Sequence, residues 1–184
     1  MENEKIKTAE SFIKPVHKPN FQVSTVTGES YWISRSVAVL AIVVCQDDNG
    51  WHILVNKRGE GCPDYNGCWN IPCGYIDWGE TCEEACSREI FEECGIKIHP
   101  EMFKLFNVNS DPRDSSRQNI TIRYIANELI SEYLDLELSS KNSEQNEVAD
   151  IRWISFDEID NYEWAFNHRE LLDVIHNYLT NERH

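Results

Sequence analysis

The chain has 184 residues, 41% of them hydrophobic and 11% aromatic, which suits one domain with a sizeable core and excludes wholesale disorder. Its 17 basic against 32 acidic side chains leave a net charge of −15, which excludes a broad grip on nucleic-acid backbone unless a cation intervenes. The longest apolar run, residues 37–45, falls far short of the ~20 residues that cross a bilayer, and MENEKIKTAE is too polar for a secretion signal, so a cytoplasmic protein with no membrane partner is expected.

Residues 1–33 mix Lys, Glu, Pro and Ser with scattered aromatics and show no period. They read as an N-terminal extension that adds a strand or a pairing surface, with the main domain over 34–184. Residues 36–46 are rich in β-branched and apolar side chains, as in a strand buried on both faces. The Asp47-Asp48-Asn49-Gly50 turn then leads into residues 51–57, the second arm of a hairpin. Residues 58–74 are loop-like, with glycine at 59, 61, 67 and 74 and proline at 63 and 72.

A helix follows. Thr81 and Glu84 form a capping box, Gly95 supplies a left-handed stop, and Cys82, Ala85, Cys86 and Ile90 face inward. Strand patterns recur at residues 103–108, 120–125 and 151–154. Ser155 and Glu158 suggest a second capping box, and residues 164–179 read as a terminal amphipathic helix with Leu171, Leu172, Ile175 and Leu179 inward. Strands punctuated by two main helices predict an α/β sandwich with a mixed sheet. The seven cysteines are odd in number and lack a C-x2-C knuckle, so they read as reduced thiols packed as small apolar residues, with zinc disfavoured.

The chemistry sits in residues 74–96, GYIDWGETCEEACSREIFEECGI. At helical spacing Glu89, Glu92 and Glu93 share one face, where like charges oppose the helix by roughly 0.2–0.5 kcal/mol per pair. A hard divalent cation would reverse that sign, and Arg88 can hold one carboxylate through its fork of donors. Taken alone, the pairs are read more simply as a plain solvated acidic face.

The full pattern resembles the Nudix box, Gly-x5-Glu-x7-Arg-Glu-U-x-Glu-Glu-x-Gly-U with U a bulky aliphatic residue. Gly74, Glu80, Arg88, Glu89, Ile90, Glu92, Glu93, Gly95 and Ile96 match it throughout, a coincidence on the order of 10⁻⁷ by chance. The resemblance implies a Nudix-type α/β/α sandwich over 34–184, with a mixed β-sheet and a strand–loop–helix catalytic motif. It implies a hydrolase cleaving the pyrophosphate of a nucleoside diphosphate linked to another moiety, using Mg²⁺ or Mn²⁺. By the same resemblance Glu89, Glu92, Glu93 and the Cys73 backbone carbonyl are the metal ligands, although the family usually carries Gly-Gly where Cys73-Gly74 stands. The base is Glu89 or a downstream acid, Glu147 before Glu144, and Arg88 completes the catalytic set.

A proline sixteen places beyond the box, here Pro112, resembles a feature of the ADP-ribose-cleaving group. Arg113 stands where a tyrosine would mark diadenosine polyphosphates, and the Ser-Gln-Pro-Trp signature of NADH-cleaving relatives is absent. ADP-ribose or a related nucleotide sugar is therefore the favoured substrate. Arg58 resembles the basic residue that ends the preceding strand and is a candidate phosphate contact. The base calls for a stacking aromatic, with Trp32, Trp69 and Trp78 as candidates. The alternatives are a Nudix-fold nucleotide sensor without turnover and a nucleoside-triphosphate-cleaving housekeeping hydrolase. No partner beyond a small nucleotide is implied, apart from the homodimers common among relatives, and no nucleic-acid duplex is expected.

Overall fold

The computed structural model describes residues 20–113, 118–143 and 146–181. Within the expected N-terminal extension, β1 (Phe21–Ser24) and β2 (Ser30–Ile33) pair with each other as a separate two-stranded sheet. Phe21, Val23, Tyr31 and Ile33 occupy facing positions of this hairpin and are all exposed.

The apolar run becomes β3 (Val37–Asp47), and a two-residue turn returns the chain as β4 (Gly50–Arg58) with Asp47 opposite Gly50. Gly50 closes the turn at φ 122°, a conformation that side-chain-bearing residues rarely adopt. The glycine- and proline-rich segment expected to be loop contains two short strands, β5 (Trp69–Asn70) and β6 (Cys73–Tyr75). Then come α1 (Cys82–Cys94), β7 (Lys104–Asn109), β8 (Ile120–Leu129), β9 (Val148–Ser155) and α2 (His168–Asn181). The main sheet runs β5-β4-β3-β8-β7, with β6 also on β3 and β9 also on β4. β3 and β8 are parallel and the other pairs antiparallel, so the sheet is mixed as expected.

Strand periodicity explains the layering. Val39, Ala41, Val43 and Cys45 pack on one face of β3 with Ala85, Cys86, Ile90 and Cys94 of α1. Leu40, Ile42 and Val44 pack on the other face with Leu171, Leu172, Ile175 and Leu179 of α2. One strand thus feeds two cores, and each fully buried Leu or Ile contributes roughly 1.5–3 kcal/mol. This is the α/β/α sandwich. The seven cysteines are free thiols, with Cys45, Cys86 and Cys94 buried.

Two boundaries differ from expectation. The terminal helix starts at His168, because Trp164 bridges Trp69, its Nε1 donates to the Ile159 carbonyl at 2.8 Å, and Phe166 adopts φ 55°. Ser155 accepts from the Asp157 N–H at 3.2 Å, but it caps a 3₁₀ turn, Phe156–Asn161, instead of an α-helix. No helix among the described residues is long and apolar enough to cross a membrane.

Candidate catalytic cleft

Helix α1 begins on the expected capping box. The Thr81 hydroxyl accepts from the Glu84 N–H at 3.2 Å, and the Glu84 carboxylate accepts from the Thr81 N–H at 2.7 Å. The helix ends at Gly95, φ 78°, whose N–H donates to Phe91. One face of α1 is buried in the core, and the next turns Arg88, Glu89, Glu92 and Glu93 toward β6. The cleft between them encloses about 440 Å³ and is also lined by Asn56, Arg58, Asn70, Cys73, Asp77 and Glu147.

Arg88 holds more than the one carboxylate expected of it. Its guanidinium grips Glu80 through Nε at 3.0 Å and Nη2 at 2.7 Å, and Nη2 also donates to the Tyr75 carbonyl. Its Nη1 donates to Glu89 at 2.7 Å and to Glu92 at 3.1 Å. Hydrogen bonding from Arg88, with its charge added, holds the Glu80 carboxyl below its ordinary value, and Glu80 in turn accepts from the Asp77 N–H at 2.7 Å. Arg88 therefore fixes the loop after β6 to the helix.

Glu89 is 8% exposed, and a β-carbon on Gly74 would lie 1.9 Å from its Oε1. The first glycine of the motif is thus required by close approach: backbone and carboxylate occupy the space a side chain would need. Burial raises the Glu89 pKa against the pull of Arg88. Glu93 is raised well above its ordinary range by desolvation and then by the Glu89 charge, although Asn56 donates to it at 2.9 Å and the Cys73 N–H also supports it.

Desolvated, mutually repelling carboxylates suit a hard cation. The buried Oδ1 atoms of Asn56 and Asn70, two residues of the cleft lining, have no hydrogen-bond partner. The donor set therefore fits Mg²⁺ or Mn²⁺. Among the described residues, however, no three His, Cys, Asp or Glu side chains already gather as a metal cluster, because Arg88 and Asn56 hold the carboxylates instead.

Glu147 comes to the same cleft from the segment before β9. Its carbonyl accepts from the Gly59 N–H at 2.7 Å and from the Cys62 thiol at 3.2 Å, which anchors the backbone beside the carboxylates. Glu144 lies outside the described residues. Arg58 ends β4 and is paired with Asp64 at 2.9 Å, while its guanidinium lies 5.1 Å from the Phe166 ring centre. It stands between the cleft and a second, smaller cavity of about 150 Å³ that shares Cys73, Gly74 and Tyr75.

Pro112 is not brought to either cavity. It lies in a turn in which the Asp111 and Arg113 side chains pair, and Asn109 from β7 lines the smaller cavity instead. Trp69 is buried under Arg152 and Trp78 is 97% exposed, so neither lines a cavity, and the Trp32 side chain lies outside the described set. Sequence reasoning missed Asn56, Asn70, Tyr75, Arg123, Phe166 and His168. Only Asn56 left a signal, an amide inside the apolar strand ILVN.

Comparison with known proteins agrees with this geometry. A family model described as the NUDIX domain matches residues 34–175. Over 127 residues the chain is 33% identical to the ADP-ribose pyrophosphatase of Methanocaldococcus jannaschii, covering 68% of this chain and 70% of the relative. The NUDIX domain of Shewanella oneidensis NrtR, solved with ADP ribose, superposes with a TM-score of 0.67 at 18% identity, covering 80% of this chain and 90% of that one. A bifunctional NMN adenylyltransferase/ADP ribose pyrophosphatase from Francisella tularensis, solved with AMP and a Mn ion, gives a TM-score of 0.61 at 23% identity over 79% of this chain and 42% of that one. The two structures share the fold, while the archaeal relative and the family model extend the likeness to sequence. The family model spans most of the chain and takes in the whole glutamate-rich motif, and the chain belongs to the Nudix family of pyrophosphohydrolases.

Proposed function

We propose that this enzyme cleaves the pyrophosphate of ADP-ribose or a related nucleotide sugar with the help of Mg²⁺ or Mn²⁺. The observation that carries the reading is the gathering of Asp77, Glu89, Glu92, Glu93 and Glu147 around one cleft that also presents Arg58. Support for the substrate comes from the archaeal ADP-ribose pyrophosphatase, and support for the ion from the manganese-bearing structural neighbour.

Glu89, Glu92, Glu93 and the Cys73 carbonyl would hold the cation, which when bound neutralises phosphate charge and lowers the pKa of water. The remaining work belongs to the chain. Arg88 keeps Glu89 and Glu92 oriented toward the cleft, and Gly74 lets Glu89 sit against the backbone. Arg58, with its own charge steadied by Asp64, faces the phosphates from the opposite wall. Glu147 accepts the proton of the attacking water as the P–O bond to the departing phosphate monoester breaks.

Chromatographic product analysis over a nucleotide panel, with and without Mg²⁺, tests this. ADP-ribose yielding AMP and ribose 5-phosphate, with loss of activity in chelator, is the expected result. Cleavage of dGTP or oxidised nucleotides far faster than ADP-ribose would overturn the substrate. Glu147→Gln should lower kcat by roughly 10²–10⁴-fold with Mg²⁺ binding retained, and unchanged turnover would remove Glu147 as base.

A further inference from the structure

Residues 59–68 form no helix or strand, yet they are closely cross-linked. At their ends the Arg58 N–H donates to the Cys68 carbonyl at 2.9 Å and the Gly67 N–H to the Arg58 carbonyl at 2.8 Å. Inside this fold-back, Asn66 Nδ2 donates to the Gly59 carbonyl at 2.9 Å, and the Cys62 and Cys68 N–H groups donate to the Gly59 and Tyr65 carbonyls. The Arg58 guanidinium donates to the Asp64 carbonyl from Nε at 3.0 Å and to its carboxylate from Nη2 at 2.9 Å. A loop that satisfies so many of its own polar groups is a platform, not a tether.

The platform turns further donors on the segment that carries Glu147. The Gly59 N–H reaches the Glu147 carbonyl at 2.7 Å, the Gly61 N–H the Asn146 carbonyl at 2.9 Å, and the Cys62 thiol the Glu147 carbonyl at 3.2 Å. These bonds begin where the ladder between β4 and β9 slips: Lys57 faces Asp150 but Arg58 faces Val148, so Ala149 is an extra residue on β9. Asn146 adopts φ 63°, a left-handed conformation that asparagine tolerates better than most residues.

Gly59 makes the approach possible. Its own φ is not left-handed, so space and not backbone conformation calls for a glycine. A β-carbon there would lie 2.1 Å from the Asn146 carbonyl oxygen and 3.1 Å from the Glu147 carbonyl carbon. At Gly74 the atom in the way is the end of a side chain. At Gly59 it is main chain already held by the Gly61 N–H, and it cannot swing aside.

We infer that Gly59 is a positioning residue for Glu147, and that residues 58–68 hold Arg58 and Glu147 in fixed relation as one unit. The inference deepens the proposed function, since it rests on reading Glu147 as the base and Arg58 as the phosphate contact. Both residues line the same cleft. The cation that receives the phosphates and the group that takes the proton must keep their places about one phosphorus atom, and a displacement near 1 Å can cost roughly 10²-fold in rate. Arg58 is tied to the platform by its side chain and Glu147 by its main chain, so one loop registers both.

Gly59→Ala tests the assignment. With ADP-ribose and Mg²⁺, kcat should fall by roughly 10²-fold, while KM and calorimetric Mg²⁺ uptake change little. Combined with Glu147→Gln, the loss should stay close to that of Glu147→Gln alone, because the displaced group is already gone. Losses that multiply in full would mark general disruption and overturn the inference. By NMR the Gly61 amide should exchange with solvent roughly 10-fold faster in Gly59→Ala, as the Asn146 carbonyl withdraws from it. Unchanged exchange would also overturn it. Should Gly59→Ala not fold, a pair of variants at Cys62 decides. Cys62→Ala should lower kcat by roughly 2–10-fold, and Cys62→Ser, which keeps a donor, should restore it. Equal rates in that pair overturn the coupling. Full turnover in Glu147→Gln would defeat the base, while faster Gly61 exchange in Gly59→Ala would still uphold the positioning of Glu147, so the two can fail separately.

Discussion

The two adjoining cavities share one short strand, β6, and use opposite electrostatic strategies. On one side five carboxylates crowd a cleft in which burial and mutual repulsion raise Glu89 and Glu93 above their ordinary pKa range. On the other side no acid contributes to the lining, and burial, with two guanidiniums added, keeps a histidine neutral. The first surface leaves its carboxylates desolvated and repelling one another. The second holds its histidine by a backbone bond, from the Ile71 N–H to Nδ1. The contrast teaches that charge can be left frustrated where a ligand will relieve it, while directional recognition is best built from groups whose protonation cannot change.

The largest effect expected is on the frustrated side. Replacing Glu92 and Glu93 together with Gln should remove the ion's anchor and lower kcat/KM by roughly 10³-fold or more. Ion titration by calorimetry should show uptake lost in the same variant. Retained uptake with full turnover would break the comparison at its root. Gly74→Ala comes next, because the new β-carbon would meet Glu89 Oε1 at 1.9 Å and Glu89 cannot retreat without leaving Arg88. An activity loss of roughly 10²-fold is expected, and unchanged turnover would break the comparison on this side.

A third prediction concerns stability. A carboxylate whose folded pKa is raised makes the native state bind protons more tightly than the unfolded chain. Its folding stability therefore falls as pH rises from the unfolded value, 4.5, through the raised one. Metal-free protein should thus melt at lower temperature at pH 7 than at pH 5.5 on account of this pair, and Glu93→Gln should flatten that part of the profile. Saturating Mg²⁺ should raise the melting temperature of the unaltered protein by mass action and do little for the variant. A scanning calorimetry series checks all three arms. The smallest effect is expected from Thr81→Ala, which removes the helix cap at a cost of about 1 kcal/mol, or ~2–4 °C in melting temperature.

Much of this could be read from the chain, and the limits have physical causes. β3 was legible because both of its faces are buried, leaving a continuous apolar run, and α1 because its cap, stop and carboxylates obey local spacing. β5 and β6 escaped notice because two or three residues cannot display a period, and their place is set by partners elsewhere in the chain. The start of α2 was misjudged because Trp164 and Phe166 fit an apolar helical stripe but serve a bridge and a cavity wall. The acidic cleft was visible since three of its five carboxylates come from one helix. The smaller cavity was not, because it is assembled from β3, β4, β6, β7, β8 and the start of α2, and His168 by itself looks like any other helical histidine.

The double burial of β3 has one more consequence. A slip of a single residue along this strand would send every side chain of one core into the other, exchanging Leu40, Ile42 and Val44 for Val39, Ala41 and Val43. Such a shift is prohibitive, so the strand cannot creep. Because β6 is registered on it at Leu40–Cys73, Val39–Gly74 and Ala38–Tyr75, the divide between the two cavities inherits that immobility. On the proposed reading, the pyrophosphate would lie beside a strand whose register two cores hold fixed.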